Sequence, residues 1–419
     1  MSASGSGLEI RIDSAGLQSR IDELALISEA PPPVVTRVLF SEADIRGRGY
    51  VRKAAREAGL AIREDPVGNI FARWEGSEPD LPVVGSGSHT DAIPNAGRYD
   101  GVVGVLGAFE ALAALKRAGF RPRRSLEVVM FTSEEPTRFG LGCLGSRLIA
   151  GTISIERARA LRDVDGRTRD ELRGAAGYSG PLESVRLPNG YYHSFIELHI
   201  EQGPILEAKG IPIGIVEQIA GPSSYRVTLQ GEGGHAGAVP MPGRHDAMLA
   251  GAEIALAVEN AAKTSGSPDT VGTVGIFRIE PGASNSVPFR AYLEIDLRDT
   301  RLDTRGEALA QIEASAAKAC ALRGVRMEFE EINSDPPADG DPKTVATVEK
   351  VCSELGLRSL RMVSRAYHDS LFISRVSPTT MVFIPCRNGW SHRPEEFATP
   401  EHIASGVEVL AHTMARLAG

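Results

Sequence analysis

Apolar residues recur along this chain with two periods, and the points where one gives way to the other set out its elements. Residues 17–27 and 41–58 carry the spacing of amphipathic helices, the second opened by a Ser41 cap with acidic Glu42 and Asp44 behind it. A hairpin is expected next. An apolar run from Leu81 ends in Gly-Ser-Gly-Ser-His-Thr-Asp, which reads as a Gly-rich loop, and residues 101–118, rich in Val, Leu and Ala, predict a helix. Residues 125–131 repeat the strand and run into Thr-Ser-Glu-Glu, while 195–198 and 380–385 are further strand candidates. Such alternation predicts an α/β domain with a mixed, mainly parallel sheet and helices on both faces, whose ligands bind beyond the carboxyl ends of the strands.

From about Ile215 the pattern becomes strand (224–230), helix (246–262), strand (271–279), strand (290–298), helix (304–321) and strand (325–332). That order is a ferredoxin-like α+β sandwich. Asp335-Pro336-Pro337 then marks a return to the first pattern. The expected domains are therefore 1–214 and 332–419, forming one catalytic domain in two parts, and 215–331 inserted between them. Residues 151–190, charged and Gly-rich, predict a mostly helical surface insertion.

The length of 419 residues fits two cores better than one, and 42% hydrophobic with 24% charged residues is ordinary for a soluble globular protein. The longest apolar stretch, 102–115, is too short and interrupted to span a bilayer, so no membrane partner is expected. Residues 1–8 lack a basic start and an apolar signal core, which points to the cytoplasm. Cys143, Cys320, Cys352 and Cys386 are scattered and read as reduced core thiols. A net charge of −8 without a long basic run argues against nucleic acid as a partner.

Candidate chemistry falls at the strand ends. His89 offers an imidazole nitrogen, Asp100 offers two oxygens able to bridge two cations, and Asp91 could orient the imidazole, although such residues also serve as turn formers. Glu134 and Glu135 follow a buried strand; one could bind metal while the other acts as general base, or both could favour a helix start. His199 ends another strand, and His392 lies in Ser-His-Arg-Pro-Glu-Glu near the C-terminus.

Taken in order, Gly-Ser-His-Thr-Asp, Gly-Arg-Tyr-Asp-Gly, Thr-Ser-Glu-Glu, His-Ile-Glu-Gln-Gly-Pro, Gly-Gly-His-Ala-Gly and Ser-His-Arg-Pro-Glu-Glu resemble the motifs of the amidase, hydantoinase and carbamoylase group of binuclear metallohydrolases. These are relatives of the co-catalytic aminopeptidases. The likeness runs from about Ile21 to Leu417. It implies two divalent ions per subunit, Mn or Zn, one held by His89 and His199, the other by Glu135 and His392, with Asp100 bridging. It implies Glu134 as general base, moving a proton from metal-activated water to the leaving nitrogen. The inserted domain would be a lid and homodimer interface, with His235 an oxyanion stabiliser reaching the partner's site. Asn285 and Arg298 would clamp a substrate carboxylate, and Gln202 and His368 would contact the substrate.

The group acts on small ureido or carbamoyl carboxylates. In Arg-Ala-Tyr-His-Asp-Ser-Leu-Phe, Tyr367 stands where most members carry Gly or Ala, which would narrow the pocket. That string looks most like the members acting on ureidoglycolate, yielding glyoxylate, ammonia and carbon dioxide. N-carbamoyl-L-amino acids and allantoate are the alternatives. A metal-dependent dipeptidase or an inactive metabolite-binding homologue is the reading from another class.

Overall fold

The structure is a computed structural model that describes residues 9–419; the reading of residues 1–8 as lacking an export signal lies outside them. Contacts divide the chain into two compact units. One runs to Glu217 and resumes over Asp339–Met362 and His368–Gly419; the other comprises Gln218–Ala338 and Val363–Tyr367.

The first unit is built on a nine-stranded mixed sheet. At its centre Thr379–Ile384, Tyr192–Ile200, Val83–His89 and Leu126–Phe131 lie side by side and parallel. Ile70–Trp74 and Ala61–Glu64, the expected hairpin, continue it antiparallel on one side, and Ile213–Ile219 runs antiparallel on the other. The central strands are buried along nearly their whole length because both faces are covered. Val128 and Met130 pack into one core with the helices Ser14–Ala25, Val102–Arg117 and Pro400–Ala418; Val129 and Phe131 point into a second. Adjacent residues thus serve opposite faces, as the two-residue period of a strand requires.

Two expectations need correction. Residues 151–190 are more than a surface insertion: the short helices Ile155–Ala160 and Arg169–Ala175 and the turn Leu182–Val185 deliver Ala158, Leu172, Leu182 and Val185 to the second core. Likewise the glycines before His89 form strand, not loop. A Cβ on Gly87, whose φ is 150°, would run into the Val129 carbonyl of the neighbouring strand, so glycine here serves close strand approach.

In the second unit, Val271–Glu280, Arg290–Asp299, Gly221–Gln230 and Arg326–Ser334 form an antiparallel sheet in that order. The helices Ala247–Thr264 and Leu302–Arg323 supply Ala250, Ile254, Ala308 and Ile312 to the core beneath it. Connectivity and strand order are those of the ferredoxin-like sandwich. Buried and partly exposed residues alternate along Arg290–Asp299, as in a sheet covered on one face. No helix among the described residues is long and apolar enough to cross a membrane.

Candidate metal centre

Three parallel strands bring the ligand candidates to one end of the central sheet. His89 is the last residue of its strand, His199 the penultimate residue of the next, and Glu134 and Glu135 follow Leu126–Phe131 by a short step. Asp100 precedes the helix Val102–Arg117 through Gly101, whose φ is 66° and where a Cβ would stand 2.5 Å from the His89 ring. Glycine is required there for the ring and the helix start to share that space.

The His89 Nδ1 lies 3.0 Å from the Asp91 carbonyl and the His199 Nδ1 lies 2.9 Å from the Ile200 carbonyl. A carbonyl can only accept, so each Nδ1 carries a proton and each ring turns its Nε2 inward, the nitrogen left to bind a cation. The Gly101 N–H indeed donates to His199 Nε2 at 3.1 Å. Asp91 thus orients His89 through its backbone oxygen. Its carboxylate, 3.7 Å from that Nδ1, instead accepts the Glu134 and Glu135 N–H groups at 3.3 and 3.0 Å.

Asp100 divides its two oxygens. Oδ1 is 3.6 Å from His89 Nε2 and 3.1 Å from His199 Nε2, whereas Oδ2 is 3.2 Å from His392 Nε2, itself 3.5 Å from Glu135 Oε1. Ligand atoms that each sit about 2.1 Å from one tetrahedral cation stand roughly 3.4 Å apart, which is the spacing seen here. Two triads able to hold a cation result, His89–Asp100–His199 and Asp100–Glu135–His392, sharing Asp100. The donor set suits divalent ions such as Zn²⁺ or Mn²⁺.

Glu134 belongs to neither triad. Burial pushes its carboxyl well above the usual range, with Glu135, Asp369 and Asp100 adding to the effect against His89. Burial and Asp100 raise Glu135 to about 7, whereas the hydrogen bond to Asp100 raises His392 to about 9. Burial works against the Asp100 carboxylate, but its three imidazole partners hold it well below the ordinary value. A buried, proton-hungry carboxyl beside two groups able to hold a cation is suited to general base and acid work.

The other expected residues are distributed as follows. Gln202, at a left-handed φ of 57°, donates from Nε2 to Asp100 Oδ2 at 2.7 Å. His368 is buried, its ring centroid 4.5 Å from that of His199, and it forms a third group of possible ligands with Glu197 and His199. In the second unit, exposed His235 lies on a two-residue strand paired with Ser286–Val287, and the Ala236 N–H donates to the Asn285 carbonyl at 2.8 Å. Arg298 directs Nε and Nη2 to Asp296 at 2.6 and 3.0 Å and lies over the Tyr367 ring at 4.9 Å. Its fork is therefore engaged by its own strand.

Sequence reasoning passed over three buried residues. Glu396 accepts the Tyr99 and Asp100 N–H groups, Glu197 accepts the Ser88 hydroxyl and the Ser370 N–H, and Asp369 pairs with Ser146 at 2.5 Å. Two of them lie inside quoted motifs, Glu396 four residues beyond His392 and Asp369 directly after His368. An acid that close to a candidate ligand was the available signal.

Residues 85–416 match the sequence profile of Peptidase family M20/M25/M40. The chain belongs to that family. Among relatives of this M20/M25/M40 member, a ureidoglycolate hydrolase of Oryza sativa subsp. japonica is 54% identical over 99% of this chain and 87% of its own. An N-carbamoyl-L-amino acid amidohydrolase of Geobacillus stearothermophilus is 37% identical over 97% of this chain and 99% of its own. AtUAH, solved by crystallography in complex with glyoxylate and with (S)-hydroxyglycine, superposes at a TM-score of 0.93 with 52% identity, covering 98% of both chains.

Proposed function

We propose that this chain is a two-metal amidohydrolase that cleaves the ureido C–N bond of ureidoglycolate. The observation that carries the reading is the division of Asp100, one oxygen toward His89 and His199 and the other toward His392. Identity above half to a ureidoglycolate hydrolase, against 37% to a carbamoyl amino acid amidohydrolase, favours that substrate.

His89, His199, Glu135 and His392 would hold two divalent ions, Mn or Zn, with Asp100 between them; bound there, the ions supply an acidified water and positive charge for the developing oxyanion. Glu134 takes a proton from the attacking water as its oxygen bonds to the ureido carbon. The same carboxyl passes that proton to the terminal nitrogen, the C–N bond breaks, and ammonia leaves. Loss of carbon dioxide from the remaining carbamate gives hydroxyglycine, whose C–N bond breaks to give glyoxylate and a second ammonia. The two ligands of AtUAH correspond to those last species.

On the strength of their motifs, His235 is assigned to the oxyanion, Asn285 and Arg298 to the substrate carboxylate, and Gln202, His368 and Tyr367 to substrate contacts, Tyr367 limiting substrate size. The inserted segment 215–331 is taken as lid and homodimer interface. In support, Val271–Glu280 is a sheet edge exposing Phe277 and Ile279, and the nearby helix exposes Leu249 and Leu256. Four unpaired cysteines fit a reducing cytoplasm.

The test is ammonia release by metal-stripped protein, reloaded with Mn²⁺ or Zn²⁺, from ureidoglycolate, allantoate and several N-carbamoyl-L-amino acids. Preference for ureidoglycolate, measured as kcat/KM, is expected. Preference for a carbamoyl amino acid would reassign the substrate, and no release from any of them would overturn the reading.

A further inference from the structure

His392 is unusual among the ligand candidates. It lies outside the sheet, its side chain is 49% exposed, and its backbone has a left-handed φ of 58°. Something must hold it against Asp100. Glu396 is 3% exposed and accepts two backbone N–H groups through Oε1, Tyr99 at 2.7 Å and Asp100 at 3.1 Å. Its Oε2 is 2.8 Å from the Ser391 hydroxyl, and that hydroxyl is also 2.9 Å from Asp100 Oδ2. A Cβ on Gly97 would stand 2.5 Å from Glu396 Oε1, so Gly97 leaves the room this contact needs.

One hydroxyl proton cannot serve two carboxylates. Asp100 Oδ2 already receives Gln202 Nε2 at 2.7 Å and faces His392, and a cation held there would take up its remaining lone pair. The Ser391 proton then belongs to Glu396. Gln202 Nε2, 3.3 Å from Ser391 Oγ, donates toward the oxygen so released. The relay from Gln202 through Ser391 to Glu396 fastens the residue before His392 to the backbone that carries Asp100.

We propose that Glu396, acting through Ser391, is the positioning residue for the second cation site: it sets Asp100 Oδ2 against His392, while the His89–His199 site stands without it. This rests on the two-metal reading above. His89 and His199 are fixed by their own strand ends and carbonyl bonds, none of which involves Glu396.

The test is calorimetric titration of Mn²⁺ into chelator-stripped protein, with metal content measured after dialysis, for wild type, Glu396→Ala, Glu396→Gln and Ser391→Ala. Circular dichroism establishes that each variant is folded. Wild type should bind two ions per chain. Glu396→Ala should keep one near wild-type affinity and weaken the other about 10–100-fold, the usual cost of losing an outer partner of a ligand. Ser391→Ala, which removes only the hydroxyl link, should weaken the same ion by a smaller factor, and Glu396→Gln, which still accepts the two N–H groups, should fall between wild type and Glu396→Ala. Equal weakening of both ions, or of neither, in folded variants would overturn the proposal. Wild type binding fewer than two ions would overturn the two-metal reading itself, and the proposal with it.

Discussion

His89 and His199 stand on neighbouring parallel strands, each 1% exposed and pinned through Nδ1 by a backbone carbonyl, whereas Glu135 and His392 reach Asp100 from irregular segments, and His392 is half-exposed. The two halves share the Asp100 carboxylate but not a construction. In the strand half the sheet fixes ligand geometry before any cation arrives, so little ordering remains to be done on binding. In the loop half the geometry depends on a polar relay. Three residues in this neighbourhood, Ser133, Gln202 and His392, have left-handed backbones without being glycine, a cost of about 1–3 kcal/mol each that a fold tolerates where a site requires it. Preformed and assembled half-sites should therefore respond differently to the same insult.

Glu134 offers the sharpest way to separate chemistry from either half, because it touches the strand half at His89, 3.7 Å away, yet completes no triad. Glu134→Gln should lower kcat by about 10²–10⁴ or more, the scale of general acid and base catalysis, while both ions remain bound. Turnover and metal content measured on the same preparation decide it. If an ion is lost instead, Glu134 is a ligand and the roles of the two glutamates are exchanged.

Removing one imidazole from each half tests the comparison directly. His199→Ala empties a buried position and leaves Asp100 Oδ1 short of its nearest partner, which should cost roughly 3–5 kcal/mol in the apoprotein and abolish binding in that half. His392→Ala should lose one ion and, at pH 9 or above, where its proton no longer adds stability, change the melting temperature little, because a half-exposed side chain contributes little packing. Similar melting temperatures for the two variants would mean that the strand half is no more rigidly built than the loop half.

How much of this was legible in the sequence follows the same division. The parallel strands were visible because burial on both faces demands near-continuous apolar runs, and the candidate ligands at their ends stood out because a polar residue directly after such a run needs a reason. The alternating period of the inserted unit likewise gave its strand order. What the sequence hid was contact between distant segments. Nothing local in Gly-Ser-Gly-Ser announces that these glycines lie inside a strand, since their reason is the Val129 carbonyl across the ladder. The short helices of 151–190 bury only a few apolar residues each, too few for a period to show. Glu396 reads as one acid in a charged tail until the fold sets it against the Tyr99 and Asp100 backbone.

The smallest expected effect concerns protons held by the loop half. Without metal, Glu135 is raised from 4.5 to about 7, burial leading, and His392 from 6.5 to about 9, the Asp100 hydrogen bond leading. Both groups bind protons more tightly folded than unfolded, so each contributes stability that is complete below its unfolded value and lost as pH rises through its folded one. The apoprotein should therefore lose stability between about pH 5 and 9. Asp100, held well below its ordinary value, contributes in the opposite sense only at much lower pH. Saturating Mn²⁺ replaces those protons, so it should flatten or reverse the slope, and ion binding should itself strengthen as pH rises. Melting temperatures of the apoprotein and the Mn²⁺-loaded protein across that range provide the measurement. His392→Ala should flatten the apoprotein slope specifically between pH 7 and 9 while leaving the lower part intact. An unchanged slope there would place the titrating imidazole in the strand half, where, against burial, Glu134 holds His89 and Asp100 holds His199 above the ordinary imidazole value.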